Sequence, residues 1–229
     1  MVRMLTLSFA RGCVPDKWLR RYAEIPEAPP LKAAASDDPV AELLAGECML
    51  ALVRLPDPRL EAELGSLHKV ELYQEEPGIA VPAESVFAQV RGPMEAADVR
   101  GEVVHSRPRP DGRVDCAEVA QMLSVVAAGV GVVLAPRPLL ELLARQKVVA
   151  LGIADPAEFE FAPTRIALVW RKADDSADVQ DFVGITRGRS PRSSRATAVR
   201  RERSSAKRKG RVSQGQRRRG RKPRPQRRH

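Results

Sequence analysis

Apolar residues between Asp115 and Pro136 recur at two periods in turn. Val119, Met122, Leu123 and Val126 follow the i, i+3, i+4, i+7 spacing of one helical face. Asp115 stands at the N-cap position, and Glu118 three residues on completes a capping-box pattern. Gly129 fits the left-handed position that stops a helix. The run Val130 to Ala135 then predicts a short strand buried on both faces and closed by Pro136. Such wholly apolar strands are typical of parallel sheets covered by helices on either side, so the stretch predicts an α/β core.

The N-terminal part repeats this grammar. Met4 to Ala10 alternates Leu5, Leu7 and Phe9 with Thr6 and Ser8, which predicts a strand. Pro15 and Asp16 suit the first turn of a helix carrying Trp18, Leu19 and Tyr22 on one face. Leu31 to Ser36 predicts a second strand, Asp38-Pro39 a second helix stopped by Gly46, and Cys48 to Leu55 a third strand. The order β-α-β-α-β implies a wound parallel sheet. Extended segments are expected at Val70 to Tyr73, Pro77 to Pro82, Val103-Val104, Val148 to Ile153 and Arg165 to Trp170. Helices are expected at Met94 to Val99, Pro138 to Arg145 and Ala177 to Ile185.

Charge divides the chain in two. Of its 39 Lys and Arg and 29 Asp and Glu, residues 187–229 hold 19 basic and one acidic, Glu202. The tail therefore carries +18 and residues 1–186 carry −8. Without aromatic residues and with few aliphatic ones, the tail cannot bury enough apolar surface to offset its chain entropy and is expected to be disordered. Its clusters Lys207, Arg208, Lys209; Arg217, Arg218, Arg219; and Arg227, Arg228 suit nucleic-acid backbones, bound through counterion release without base readout. Docking on the acidic body, or a solubilising role, is the alternative.

No apolar run approaches the roughly 18 residues of a membrane span, and no signal peptide is evident. Cys13, Cys48 and Cys116 are far apart and not paired with histidines, which implies reduced thiols in a cytoplasmic protein and no metal site. No nucleophile elbow, P-loop or zinc motif occurs, so no cofactor is implied and binding is expected rather than catalysis.

These words in combination resemble the effector-binding domain of LysR-type transcriptional regulators. The resemblance is carried by the LTLSF strand, by LAGE ahead of CMLALVRLP, and by HKVELYQEEPGIAVP. VVAAGVGVVLAP is close to the family's V-x-x-G-x-G-h-x-h-h-P, and RIALVWRKADDSADVQDFVGI matches its last strand and helix. It covers about residues 4–186. It departs from the family in starting at the first effector-domain strand, without a helix-turn-helix, and in lacking an HPLA-like motif after Pro82. It implies a two-lobed type 2 periplasmic-binding-protein-like fold with a central ligand cleft, side-by-side homodimers, and a small-molecule effector such as a carboxylate. The expected domain is 1–187, with lobe one at about 1–75 and 163–187, lobe two at about 76–162, and the tail at 188–229.

In such a cleft, strand ends and helix N-termini face the ligand. Ser8, Arg11 and Gly12 then form the first wall, with an ordinary strand-to-helix loop as the alternative. Ser36 and Asp37 face the cleft or cap the next helix. Arg54 interrupts an apolar run and needs either a ligand anion or an internal partner. His105, Ser106 and Gly129 are the candidates from the second lobe, set against a surface histidine and a plain helix stop. The expected function is effector binding in transcription regulation. The rival readings are a nucleoid- or RNA-associated scaffold built on a ligand-free dimerisation module, and an extracytoplasmic receptor.

Overall fold

The computed structural model describes residues 4–89, 92–109 and 111–189. Residues up to Gly188 form one compact unit. Within it lie two sheets. The first has five strands in the order β2-β1-β3-β9-β4: β1 Leu5–Ala10, β2 Leu31–Ser36, β3 Leu50–Leu55, β4 Leu67–Gln74 and β9 Arg165–Arg171. The second has four, β6-β7-β5-β8: β5 Pro77–Pro82, β6 Val104–Ser106, β7 Val132–Pro136 and β8 Val148–Gly152.

Each sheet is covered on both faces, which is why its central strands read as nearly continuous apolar runs. On the first, Leu5, Leu7, Leu50 and Leu52 pack with Tyr22 of α1 (Asp16–Ala23) and Phe182 of α6 (Ala177–Thr186). The opposite face sets Ala51, Val53 and Val169 against Val40 and Leu43 of α2 (Pro39–Ala45) and Leu60 of α3 (Pro58–Ala62). On the second sheet, Ala80, Val133 and Ala135 meet Val119 and Leu123 of α4 (Cys116–Val126) and Leu139 and Leu140 of α5 (Arg137–Leu143). Ile79, Val132 and Leu134 are covered by Met94, Phe159 and Phe161.

β1, β2 and β3 run parallel, as the β-α-β-α-β order predicts. The expectation of a parallel sheet around β7 needs correction: β7 is parallel to β6 but antiparallel to β5. Burial on two faces, not strand direction, makes β7 apolar. Its start also moves from Val130 to Val132, because Gly129 (φ +87°) and Gly131 (φ +62°) are both spent in the turn. A side chain at Gly131 would strike Val103 O at 2.3 Å. The expected Met94–Val99 helix is a single 3₁₀ turn at Ala96–Val99, and α3 is an element that hydrophobic periodicity does not reveal.

The chain passes between the sheets twice. The outward passage follows β4, and the return lies ahead of β9. The two passages are tied together: Glu75 N–H donates to Thr164 O at 3.0 Å, and Thr164 Oγ1 donates to Glu75 Oε2 at 2.8 Å.

Candidate functional site

Between the sheets lies a cleft of about 360 Å³. Three helix starts line it, and each is built by a local rule. Asp38 caps α2 by accepting from Ala41 N–H, and Pro39 supplies the fixed φ of a first helical residue. Asp57 and Pro58 repeat the pattern for α3, with Asp57 accepting from Arg59 N–H. Asp115 caps α4 through Ala117 and Glu118 N–H. A helix start ordinarily attracts anions. Here its own aspartate already occupies that place at all three.

The first-sheet wall adds Asp37 and the terminus of β3. Arg59 is held between two carboxylates: Nη1 and Nη2 donate to Asp38 at 2.7 and 2.9 Å, and Nε and Nη2 to Asp57 at 3.0 and 2.6 Å. Both acids keep Arg59 well above its usual range. Burial would raise the Asp38 carboxyl, but Arg59 and the backbone N–H groups of its helix outweigh that and lower it. The second-sheet wall contributes Arg109, Arg113 and Asp115. Its ion pairs are longer: Arg109 meets Asp115 at 4.0 Å and Glu118 at 3.6 Å, and Arg113 meets Asp111 at 3.4 Å.

Arg54 sits on the floor, where the walls converge on the two crossings. Its partner is internal. Nε and Nη2 donate to Glu75 at 2.6 and 2.9 Å, and Nη2 also reaches Arg11 O at 2.9 Å. Both side chains are buried, at 8% and 1% exposure. Burial disfavours the guanidinium charge, yet the hydrogen bonds and charge of Glu75 hold it protonated. Burial also pushes the Cys13 and Cys48 thiols up to about 11 and raises Cys116, so the thiols stay protonated at neutral pH and are poor nucleophiles.

Of the residues singled out in the sequence, Asp37 and Arg54 line this cleft. Arg11 borders it, with Nε donating to Asp37 Oδ1 at 2.7 Å. Gly12 takes φ +90° beside the start of α5, where a side chain would meet Leu139 N at 2.9 Å; it lets the two lobes touch. Ser8 is displaced from the wall, because β1 buries it among core residues, where its Oγ has no hydrogen-bond partner among the described residues. Ser36 Oγ bonds Glu42 and receives Asp38 N–H, which makes it part of the α2 start rather than of the wall. His105 Nε2 lies 3.1 Å from Val130 O, and Ser106 Oγ donates to Glu118 at 3.0 Å, both away from the lining. Gly129 ends the turn after α4 with open space beside it. The tail residues Lys207, Arg208, Lys209, Arg217, Arg218, Arg219, Arg227 and Arg228 lie outside the described residues.

Among the charged lining residues, sequence reasoning missed Asp57, Arg59, Arg109 and Arg113, and read Asp38 and Asp115 only as helix caps. Asp57-Pro58 carries the same helix-start signal as Asp38-Pro39 and would have revealed α3 and its cap. Nothing local marks Arg109 or Arg113. Among the described residues no helix is long and apolar enough to cross a membrane, and no cluster of His, Cys, Asp and Glu is arranged to hold a metal.

The LysR substrate binding domain family model matches residues 29–190. Three solved structures share the fold. Full-length CbnR complexed with its target DNA aligns with TM-score 0.55 at 17% identity, over 80% of this chain and 69% of that one. The effector binding domain of a BenM variant aligns with TM-score 0.56 at 15% identity, over 80% and 93%. The reduced OxyR regulatory domain of Pseudomonas aeruginosa aligns with TM-score 0.56 at 12% identity, over 80% and 96%. No curated protein matches the chain in sequence.

Proposed function

The chain belongs to the LysR substrate binding domain family, and on that premise we propose that its folded body is an effector-binding module of transcription regulation. The observation that carries this reading is the cleft, lined by the ends of β1 and β3 and by helix starts that belong to both sheets' layers. Ligand binding there draws residues of both walls together. The body works in the cytoplasm as a homodimer, without cofactor or catalytic step. The +18 tail holds it against nucleic-acid phosphates without reading bases.

A thermal-shift screen of the full chain against small carboxylates, amino acids and aromatic acids tests the cleft. Native-state binding raises stability by about 2.7 kcal/mol at a hundredfold excess over the dissociation constant. Ala117 is exposed at the lining, so Ala117→Trp fills the cleft and should abolish any such shift. Silence across the library would instead favour the nucleic-acid-associated scaffold. Removing 190–229 should strip most affinity for duplex DNA, measured by anisotropy; unchanged affinity would remove the tail from the account.

A further inference from the structure

We propose that Arg54 Nη1 anchors the ligand at the floor of the cleft, and that the ligand offers it an acceptor oxygen, of a carbonyl or a carboxylate, at the inner end of an apolar body. This rests on the reading of the cleft as an effector site and names its chemistry. A guanidinium carries five N–H donors. In Arg54 three are spent: Nε on Glu75 Oε2 at 2.6 Å, and Nη2 on Glu75 Oε1 and on Arg11 O, each at 2.9 Å. Nη1 donates to no oxygen among the described residues. From the second-sheet wall the thiol of Cys116, at the start of α4, adjoins the guanidinium, and sulfur is a weak acceptor.

The Arg54 side chain is only 8% exposed, and it lines the cleft. Among the described residues, the fully enclosed side-chain atoms without a partner are Ser8 Oγ and Tyr22 Oη. Nη1 is not one of them, so it keeps an opening, and the space it opens on is the cleft. A charged donor in so confined a place gains more from an acceptor than a neutral one does. Glu75 already balances the charge of Arg54, so the ligand must bring an acceptor atom and not a net charge. Ala10, Pro39, Val40, Val114 and Ala117 supply apolar lining for the rest of it. The anchor also sits where the lobes meet: Nη2 of the same guanidinium holds the crossing at Glu75 and the loop at Arg11, next to the Gly12 that touches α5.

The test uses benzoate, benzamide and benzylamine on the full chain. Benzoate and benzamide should both raise the thermal midpoint and bind within about tenfold of each other by calorimetry. Benzylamine, which brings a cation and no acceptor oxygen, should bind about tenfold or more weakly than benzamide. The double variant Arg54→Met/Glu75→Leu removes the anchor without leaving a buried charge unpaired, which keeps the fold. It should weaken benzamide about tenfold or more and erase the preference for benzamide over benzylamine, a selectivity change that a merely structural role of Arg54 would not produce. Arg165→Gln, whose partner is Glu71 outside the lining, should leave both affinities unchanged. Benzylamine binding as well as benzamide, benzoate binding without benzamide, or a folded double variant with its selectivity intact would each overturn the anchor and leave the cleft as an effector site. No shift with any of the three would also overturn it, and if the wider library were silent too, the effector reading would fall with it.

Discussion

On one wall of the cleft Arg59 is clamped by Asp38 and Asp57 at 2.6 to 3.0 Å, whereas on the other Arg109 and Arg113 meet their acids only at 3.4 to 4.0 Å. Both walls use the same parts, namely helix starts capped by aspartate with arginines beside them. The first wall is finished before any ligand arrives. The second holds its cations loosely, and exposed ion pairs of that length contribute little to stability, about 0–1 kcal/mol each. The difference separates charges held tightly within the fold from charges held loosely at its surface, which sequence composition cannot separate. Below both walls, the buried Arg54–Glu75 pair belongs to the first kind.

The largest effect should come from the floor. Glu75→Ala leaves Arg54 buried without its carboxylate and should cost about 3–5 kcal/mol in urea unfolding. Replacing both residues with apolar ones of similar volume should cost far less. A loss under about 1 kcal/mol for the single variant would contradict the pairing. Next come the glycines where the lobes touch. Gly12→Ala forces a side chain onto the backbone of Leu139 and should cost about 1–3 kcal/mol. At Gly112 the obstacle is the Pro56 ring, 2.2 Å from where a Cβ would stand, so Pro56→Ala should relieve part of the Gly112→Ala penalty. Nothing comparable can relieve Gly12→Ala.

Smaller effects sharpen the contrast between the walls. Asp115→Ala removes the α4 cap and should cost about 1 kcal/mol. Arg113→Gln should change stability by less than about 0.5 kcal/mol, since its ion pair is long and exposed. Asp38 has a folded-state pKa below its ordinary value of 3.8. Its contribution is therefore fully present above that value and is lost as pH falls through the lower, folded one. Asp38→Asn should flatten this acid limb of the stability curve, while Arg113→Gln should leave it unchanged.

Much of this fold was legible because local and global signals agree. The alternation in β1, the Asp-Pro start and Gly46 stop of α2, and the helix-to-strand switch at α4 and β7 each have a local cause. β4 was only half legible, since its pattern alternates around polar Glu71 and Lys69 on a sheet edge. Strand direction in the second sheet was not legible, because two-faced burial looks the same in parallel and antiparallel strands. The site was less legible than the fold. Arg54 announced that it needed a partner, but Glu75 lies 21 residues away, across the crossing. Arg109 and Arg113 reach the cleft through a loop whose sequence carries no period at all.

The most direct test of the account is hydrogen–deuterium exchange of the full chain with and without a compound that raises its thermal midpoint. Binding between the walls predicts added protection at Asp37–Val40 on one side and Val114–Ala117 on the other, with β2 and β4 at the far edges unchanged. Protection confined to a single wall, or only to segments outside the cleft, would contradict it.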